Sequence, residues 1–186
     1  MAFDSNDILL GTLQNRLDND KCFQRMKEFE CPPYGFFSRT TKWTNDTKRI
    51  NPCLRISKYN SLGKRSWHRD AQYTAVDLRS NYTLLIYLNK CSSQTIFKSV
   101  NQEQIQQGKL EKVLFNGKTA EEELQALEDY KIQSQNICVT PQKGMAIIFD
   151  QRLLHCATPC QTDKWILRTD LVCSPTSPMN TFCFVW

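Results

Sequence analysis

From residue 53 onward the chain is a succession of short runs rich in β-branched and aromatic residues: CLRISKY, YTLLIYLN, QTIFKSV, KVLF, NICVT, GMAIIF, KWILRTDLV and TFCFVW. Runs of four to nine residues closed off by turn-forming residues have the length of strands and are too short for stable helices. Seven or eight such strands cannot bury both faces of one flat sheet, so a two-layered sandwich or a barrel with helical support is expected.

Two segments break this rhythm. Between residues 7 and 30, the adjacent pair Ile8 and Leu9 is followed by Leu13, Leu17, Phe23, Met26 and Phe29 at spacings of three to six, which predicts a helix capped by Asn6 or Asp7. The stretch ECPPYGFF ends it, because two prolines and a glycine cannot continue a helix. The second segment, TAEEELQALEDYK, opens with Thr119 and Glu122 at capping-box spacing and has acids in its first turn. Leu124, Leu127 and Lys131 lie along one side, the pattern of a surface helix covering a sheet.

The 186 residues, 40% of them hydrophobic and 23% charged, are enough for one domain with a sizeable core. The expected layout is a single domain over 1–186, with helical support to about residue 50 and a β-domain over about 51–186. No apolar stretch approaches the length of a bilayer span, so no membrane partner is expected. The opening MAFDSNDILLGTLQ lacks a basic start and a small-residue cleavage site, which predicts an intracellular protein, cytoplasmic or nuclear. The net charge of +5 is spread along the chain without a dense basic run, so nucleic acid is not an expected partner. Nine cysteines, an odd number with no CxxC pair, suit reduced and mostly buried thiols better than a disulfide framework or a structural zinc site. Cys156 and Cys160 flank the second histidine; the inert reading is preferred for them too.

The chain has only two histidines. In SWHRDAQYT, His68 and Asp70 are two apart, and on an extended strand such residues share a face, so they can present a nitrogen and an oxygen to one point. His155, after the apolar run GMAIIF, is the only imidazole left to complete a shell. Two histidines and one carboxylate on one face of an octahedral ion form a facial triad, which leaves three positions open. Alone, each histidine has an ordinary reading as a surface polar group or a satisfied core residue.

The surrounding residues resemble the prolyl 4-hydroxylase-like branch of the Fe(II)- and 2-oxoglutarate-dependent dioxygenases. LRISKYNSLGKRSWHRD is similar to that family's arginine and tyrosine strand, glycine turn and HxD, with Arg55, Tyr59, Gly63, His68 and Asp70. YTLLIYLNKCSSQTIF resembles the strand ending in Tyr-Leu-Asn before a Thr-x-Phe strand, and PQKGMAIIFDQRLLHCATPCQTDKWILRTDLV the stretch with Pro-x-x-Gly, the distal histidine and a basic residue. The likeness covers residues 50 to 173. It departs in Ser92-Ser93, where many members carry two glycines, in an insertion over about 99–136, and in Cys156, where a glycine is common.

The resemblance implies a double-stranded β-helix (jelly-roll) core preceded by the helical segment. It also implies His68, Asp70 and His155 as ligands of Fe(II), with 2-oxoglutarate and O2 as cosubstrates and ascorbate as an accessory. Lys164 matches the cation that binds the far carboxylate, with Arg168 as the other candidate or a second anchor; Tyr87 and Tyr59 match tyrosines of the same pocket. The implied activity is hydroxylation of an unactivated C–H bond with release of succinate and CO2. A protein or peptide substrate, prolyl by the closest branch, is expected. A small-molecule hydroxylase, a nucleic-acid demethylase of the superfamily and a non-catalytic metal-binding jelly roll stand as alternatives. Trp67 and Trp165 alternate away from the site and are assigned to packing, and Arg69 has no assigned task.

Overall fold

Side chains alternate across a strand, so a strand that is apolar at every position must be covered on both faces. AIIFD (residues 146–150) is buried at every position, and the fold shows what covers it. A computed structural model describes residues 4–21, 49–71, 74–75, 78–100, 119–129, 134–151, 153–173 and 183–185. These form two helices, α1 (Asp4–Asn19) and α2 (Ala120–Asp129), and eleven strands. The strands are β1 (Arg49–Ile50), β2 (Arg55–Tyr59), β3 (Arg65–His68), β4 (Thr74–Ala75), β5 (Leu78–Tyr87) and β6 (Thr95–Val100), then β7 (Ser134–Val139), β8 (Ala146–Asp150), β9 (His155–Ala157), β10 (Lys164–Cys173) and β11 (Cys183–Val185). The predicted strand KVLF, the helix positions Phe23, Met26 and Phe29, and Lys131 lie outside the described residues.

The strands make two antiparallel sheets. The larger has seven strands in the order β1-β10-β5-β8-β11, with β2 also on β10 and β4 on β5; the smaller runs β3-β9-β6-β7. One apolar cluster gathers Leu17 of α1 with Ile50, Tyr82, Leu84, Ile148 and Leu171. The other gathers Leu85, Tyr87, Phe97, Val139, Ile147, Phe149 and Ile166, contributed by both sheets. Neighbouring residues of β5 and β8 therefore go to opposite clusters: Leu84 and Ile148 towards α1, Leu85, Ile147 and Phe149 towards the smaller sheet. The chain is mainly β, with helix on one outer face of the larger sheet.

Several expectations change in detail. α1 is already helical at Asp4, so Asn6 and Asp7 lie inside the helix and neither caps it. The capping box on α2 does form: the Glu122 carboxylate accepts from the Thr119 backbone N–H at 2.8 Å, and Thr119 Oγ1 accepts from the Glu122 N–H at 3.2 Å. Its buried side is Glu123, Ala126 and Leu127 rather than the predicted line through Leu124. The C-terminal apolar run pairs with β8 of its own chain, Phe184 opposite Ile148. Gly144 closes the turn into β8 at φ +84°, a backbone shape that Cβ-bearing residues adopt at a cost. Among the described residues, no helix is long and apolar enough to cross a membrane.

Candidate metal centre

Strand register brings the two histidines together. On the smaller sheet His68 of β3 lies opposite His155 of β9, and His155 lies opposite Phe97 of β6, so three rings form a row across adjacent strands. The imidazole centroids are 4.3 Å apart, and Phe149 meets His155 edge-on at 4.8 Å. Strand alternation does not place Asp70, because β3 ends at His68. The Asp70 backbone N–H instead donates to the Gln151 carbonyl at 3.0 Å, which ties the residue to the end of β8.

Each imidazole is aimed by its own backbone. Nδ1 of His68 lies 2.8 Å from the Ser66 carbonyl and Nδ1 of His155 lies 2.9 Å from the Leu153 carbonyl. A carbonyl only accepts, so Nδ1 carries the proton and Nε2 is left with its lone pair. Those Nε2 atoms lie 3.8 and 3.9 Å from Asp70 Oδ1, and the donor atoms of His68, Asp70 and His155 all fall within 4.8 Å of one another. This group can hold a metal ion. Its donor set suits a non-haem ion that binds nitrogen and oxygen and keeps open positions.

Burial keeps both imidazoles neutral, as metal ligation requires. It lowers the His68 pKa, and it lowers that of His155 to about 4 against the attraction of Asp70. The metal-free chain should accordingly lose stability as pH falls from about 6.5 towards about 4. In that window the unfolded imidazole takes a proton and the folded one does not, so the unfolded state binds more protons and is favoured, by roughly 2–3 kcal/mol for this group. Glu123 and Asp170, whose pKa values burial raises, oppose the trend, so the effect is read from urea melts as the difference between wild type and His155→Gln. Parallel pH profiles for the two proteins would contradict it.

A polar shell that the sequence did not reveal surrounds Asp70. Thr83 of β5 donates to Oδ2 at 2.6 Å, and Arg168 Nη1 forms an ion pair with Oδ1 at 2.9 Å. The resemblance makes Arg168 the alternative to Lys164 or a second anchor for the cosubstrate; its guanidinium pairs with Asp70, one of the candidate ligands. Beneath it, buried Gln151 donates to Asp170 at 3.0 Å and accepts from Ser80, while Arg55 pairs with Asp170 at 3.2 Å. Arg69 also has a partner: it forms an ion pair with the buried carboxylate of Glu123, fastening α2 to the residue between two of the candidate ligands. Burial raises the Glu123 pKa, and the Arg69 guanidinium acts against it.

The other end of the cleft is built around Lys164. Lys164, Ile166 and Arg168 occupy alternate positions of β10, and all three line the cleft together with Tyr59, Thr95, His68, Asp70 and His155. The Lys164 ammonium is buried (3% exposed) and has no carboxylate partner among the described residues. It donates to Ser93 Oγ at 3.4 Å and Thr95 Oγ1 at 3.5 Å, and it lies 5.4 Å above the Tyr87 ring and 6.0 Å above that of Tyr59. Tyr87 is fully buried and donates to Thr95 Oγ1 at 2.7 Å. Burial lowers the Lys164 pKa, against the pull of Cys91 and Cys160. Ser93 belongs to the seryl pair that departs from the family pattern and Thr95 is the threonine of the Thr-x-Phe strand; neither contact with Lys164 is visible in the sequence.

The thiols differ from expectation. Of the five free cysteines described, Cys91 and Cys160 are buried, Cys156 is half-buried, and Cys53 and Cys138 are exposed. Burial pushes the Cys160 thiol up, but backbone hydrogen bonds at Thr162 and Ser93 and a side-chain bond with Cys91 outweigh this and lower it to about 6, in a residue that is itself buried. Trp165, assigned to packing, is 40% exposed and lies under the Lys58 ammonium.

No protein-family model matches the chain, and no curated protein matches it in sequence. Solved structures with a partial likeness include a non-heme monooxygenase, the ThoJ–Ni complex. It has a TM-score of 0.35 and 13% identity over 72% of this chain and 46% of that one. AviO1 from Streptomyces viridochromogenes Tue57 has a TM-score of 0.35 and 17% identity over 67% of this chain and 50% of its own. The chain thus spans about half the length of those structures. At these scores the superpositions assign no residue a role.

Proposed function

We propose that the chain is a double-stranded β-helix oxygenase that uses Fe(II), 2-oxoglutarate and O2 to hydroxylate an unactivated C–H bond. The single observation that carries this reading is the convergence of His68, Asp70 and His155 at one end of a cleft whose other end holds a buried lysine with no carboxylate partner among the described residues. A metal-chelating dicarboxylate fits both ends at once. The jelly-roll reading is supported by strand order: with β2-β10-β5-β8 adjacent in one sheet and β3-β9-β6-β7 in the other, the chain crosses between the two layers from β2 to β3, from β5 to β6, from β7 to β8, from β8 to β9 and from β9 to β10.

His68, Asp70 and His155 would hold the iron, which when bound activates dioxygen for C–H oxidation. The protein's own share is to orient and to exclude water. The backbone carbonyls of Ser66 and Leu153 fix the imidazoles, and Thr83 fixes the carboxylate. Lys164, with the Thr95 hydroxyl bonded to Tyr87, would receive the far carboxylate of 2-oxoglutarate in a dry pocket, where a charge-assisted bond is strong. Tyr59 lines the same pocket. The proposed substrate is a protein or peptide side chain, prolyl by the closest resemblance, in an intracellular setting.

The test is succinate formation by the purified protein with 2-oxoglutarate, followed by mass spectrometry. Slow turnover without added substrate is expected, dependent on both Fe(II) and air. Equal succinate with and without iron, or under argon, would overturn the reading.

A further inference from the structure

Asp70 has two oxygens with different duties. Oδ2 accepts from Thr83, while Oδ1 is the oxygen that faces both imidazole Nε2 atoms. It is this metal-facing oxygen that Arg168 Nη1 approaches at 2.9 Å. The Arg168 Nε atom is buried and has no hydrogen-bond partner among the described residues. A guanidinium that stays charged at any working pH therefore stands beside the position a dication would take, with a donor to spare.

We propose that Arg168 is a positioning residue that makes metal binding depend on an anionic chelating co-ligand. This inference rests on the oxygenase reading and goes beyond it. A dication held by two neutral imidazoles and one carboxylate meets repulsion from Arg168, which also draws on the carboxylate's donor electrons. An α-keto carboxylate on the metal brings the missing negative charge and offers acceptors to the idle Nε–H. Metal and anion then strengthen each other's binding, by the same factor in either direction. Lys164 cannot produce this effect, since it lies at the opposite end of the cleft on β10.

Mn(II) binding to the metal-stripped protein, read by electron paramagnetic resonance under argon, tests the idea. Titrations are made alone and with 2-oxoglutarate or oxalate, after correction for metal–anion complexes in solution. In wild type, either anion should tighten Mn(II) binding at least tenfold. In Arg168→Gln and Arg168→Met, Mn(II) alone should bind several-fold more tightly, and the gain from either anion should shrink below threefold. Arg168→Lys, which keeps the charge, should retain part of the gain. Thr83→Val, which removes a neutral hydrogen bond to the other oxygen, should weaken Mn(II) binding and leave the gain intact.

Wild type that binds Mn(II) with no gain from either anion overturns the proposal, as do Arg168 variants that keep the full wild-type gain. Wild type that binds no Mn(II) at all overturns the oxygenase reading itself, and this proposal with it.

Discussion

Replacing Asp70 with alanine is expected to remove Mn(II) binding and to bring iron-dependent succinate formation to background. Loss of an outer hydrogen-bond partner of a metal ligand already costs about 10–100-fold in affinity, and here the ligand itself goes. The change also strips an acceptor from Thr83 and from Arg168, so the fold should weaken by about 1–3 kcal/mol, discounted because Arg168 is partly exposed. Asp70→Asn separates the two effects, since an amide oxygen still accepts from Thr83 while the charge is gone. Urea melts together with Mn(II) titration distinguish them. An alanine variant that still binds Mn(II) like wild type would remove Asp70 from the ligand set.

Lys164→Met should show the opposite balance of effects. The ammonium is buried with no carboxylate beside it among the described residues, so an apolar side chain of similar length should leave stability unchanged or raise it. Affinity for 2-oxoglutarate, measured by calorimetry on the Mn(II)-loaded protein, should fall roughly 100-fold, the scale expected when one partner of a buried charge pair is removed. Oxalate, which has no far carboxylate to reach Lys164, should bind as before. Unchanged 2-oxoglutarate affinity would move the anchor elsewhere.

Much of this arrangement was legible in the sequence because strand periodicity and the two histidines are local signals. The alternation in KWILRTDLV correctly puts Lys164, Ile166 and Arg168 on one side, and the strands read at GMAIIF and TIF are present. What was not legible is which charge meets which. Arg168 and Lys164 are both cations on one face of one strand, and only the position of Asp70, fixed by the Gln151 carbonyl, decides that Arg168 belongs to the metal end. Glu123 looked like one more acid in the first turn of a surface helix, yet it is buried against Arg69. Sequence distance hides such pairs: 54 residues separate Arg69 from Glu123, and 98 separate Asp70 from Arg168. The same is true of Ser93 and Thr95, whose hydroxyls become lysine partners only when β6 and β10 face each other.

The backbone carbonyls behind the two imidazoles have an energetic consequence. Because Ser66 and Leu153 hold the rings through main-chain oxygens, their tautomers do not depend on any neighbouring side chain, and they are set before a metal arrives. The rotational freedom that a floppy histidine would lose on coordination has already been given up in folding, where the strand register of β3 against β9 enforces it. Drift in the surrounding side chains can therefore reshape the walls of the cleft while the direction of both lone pairs stays the same.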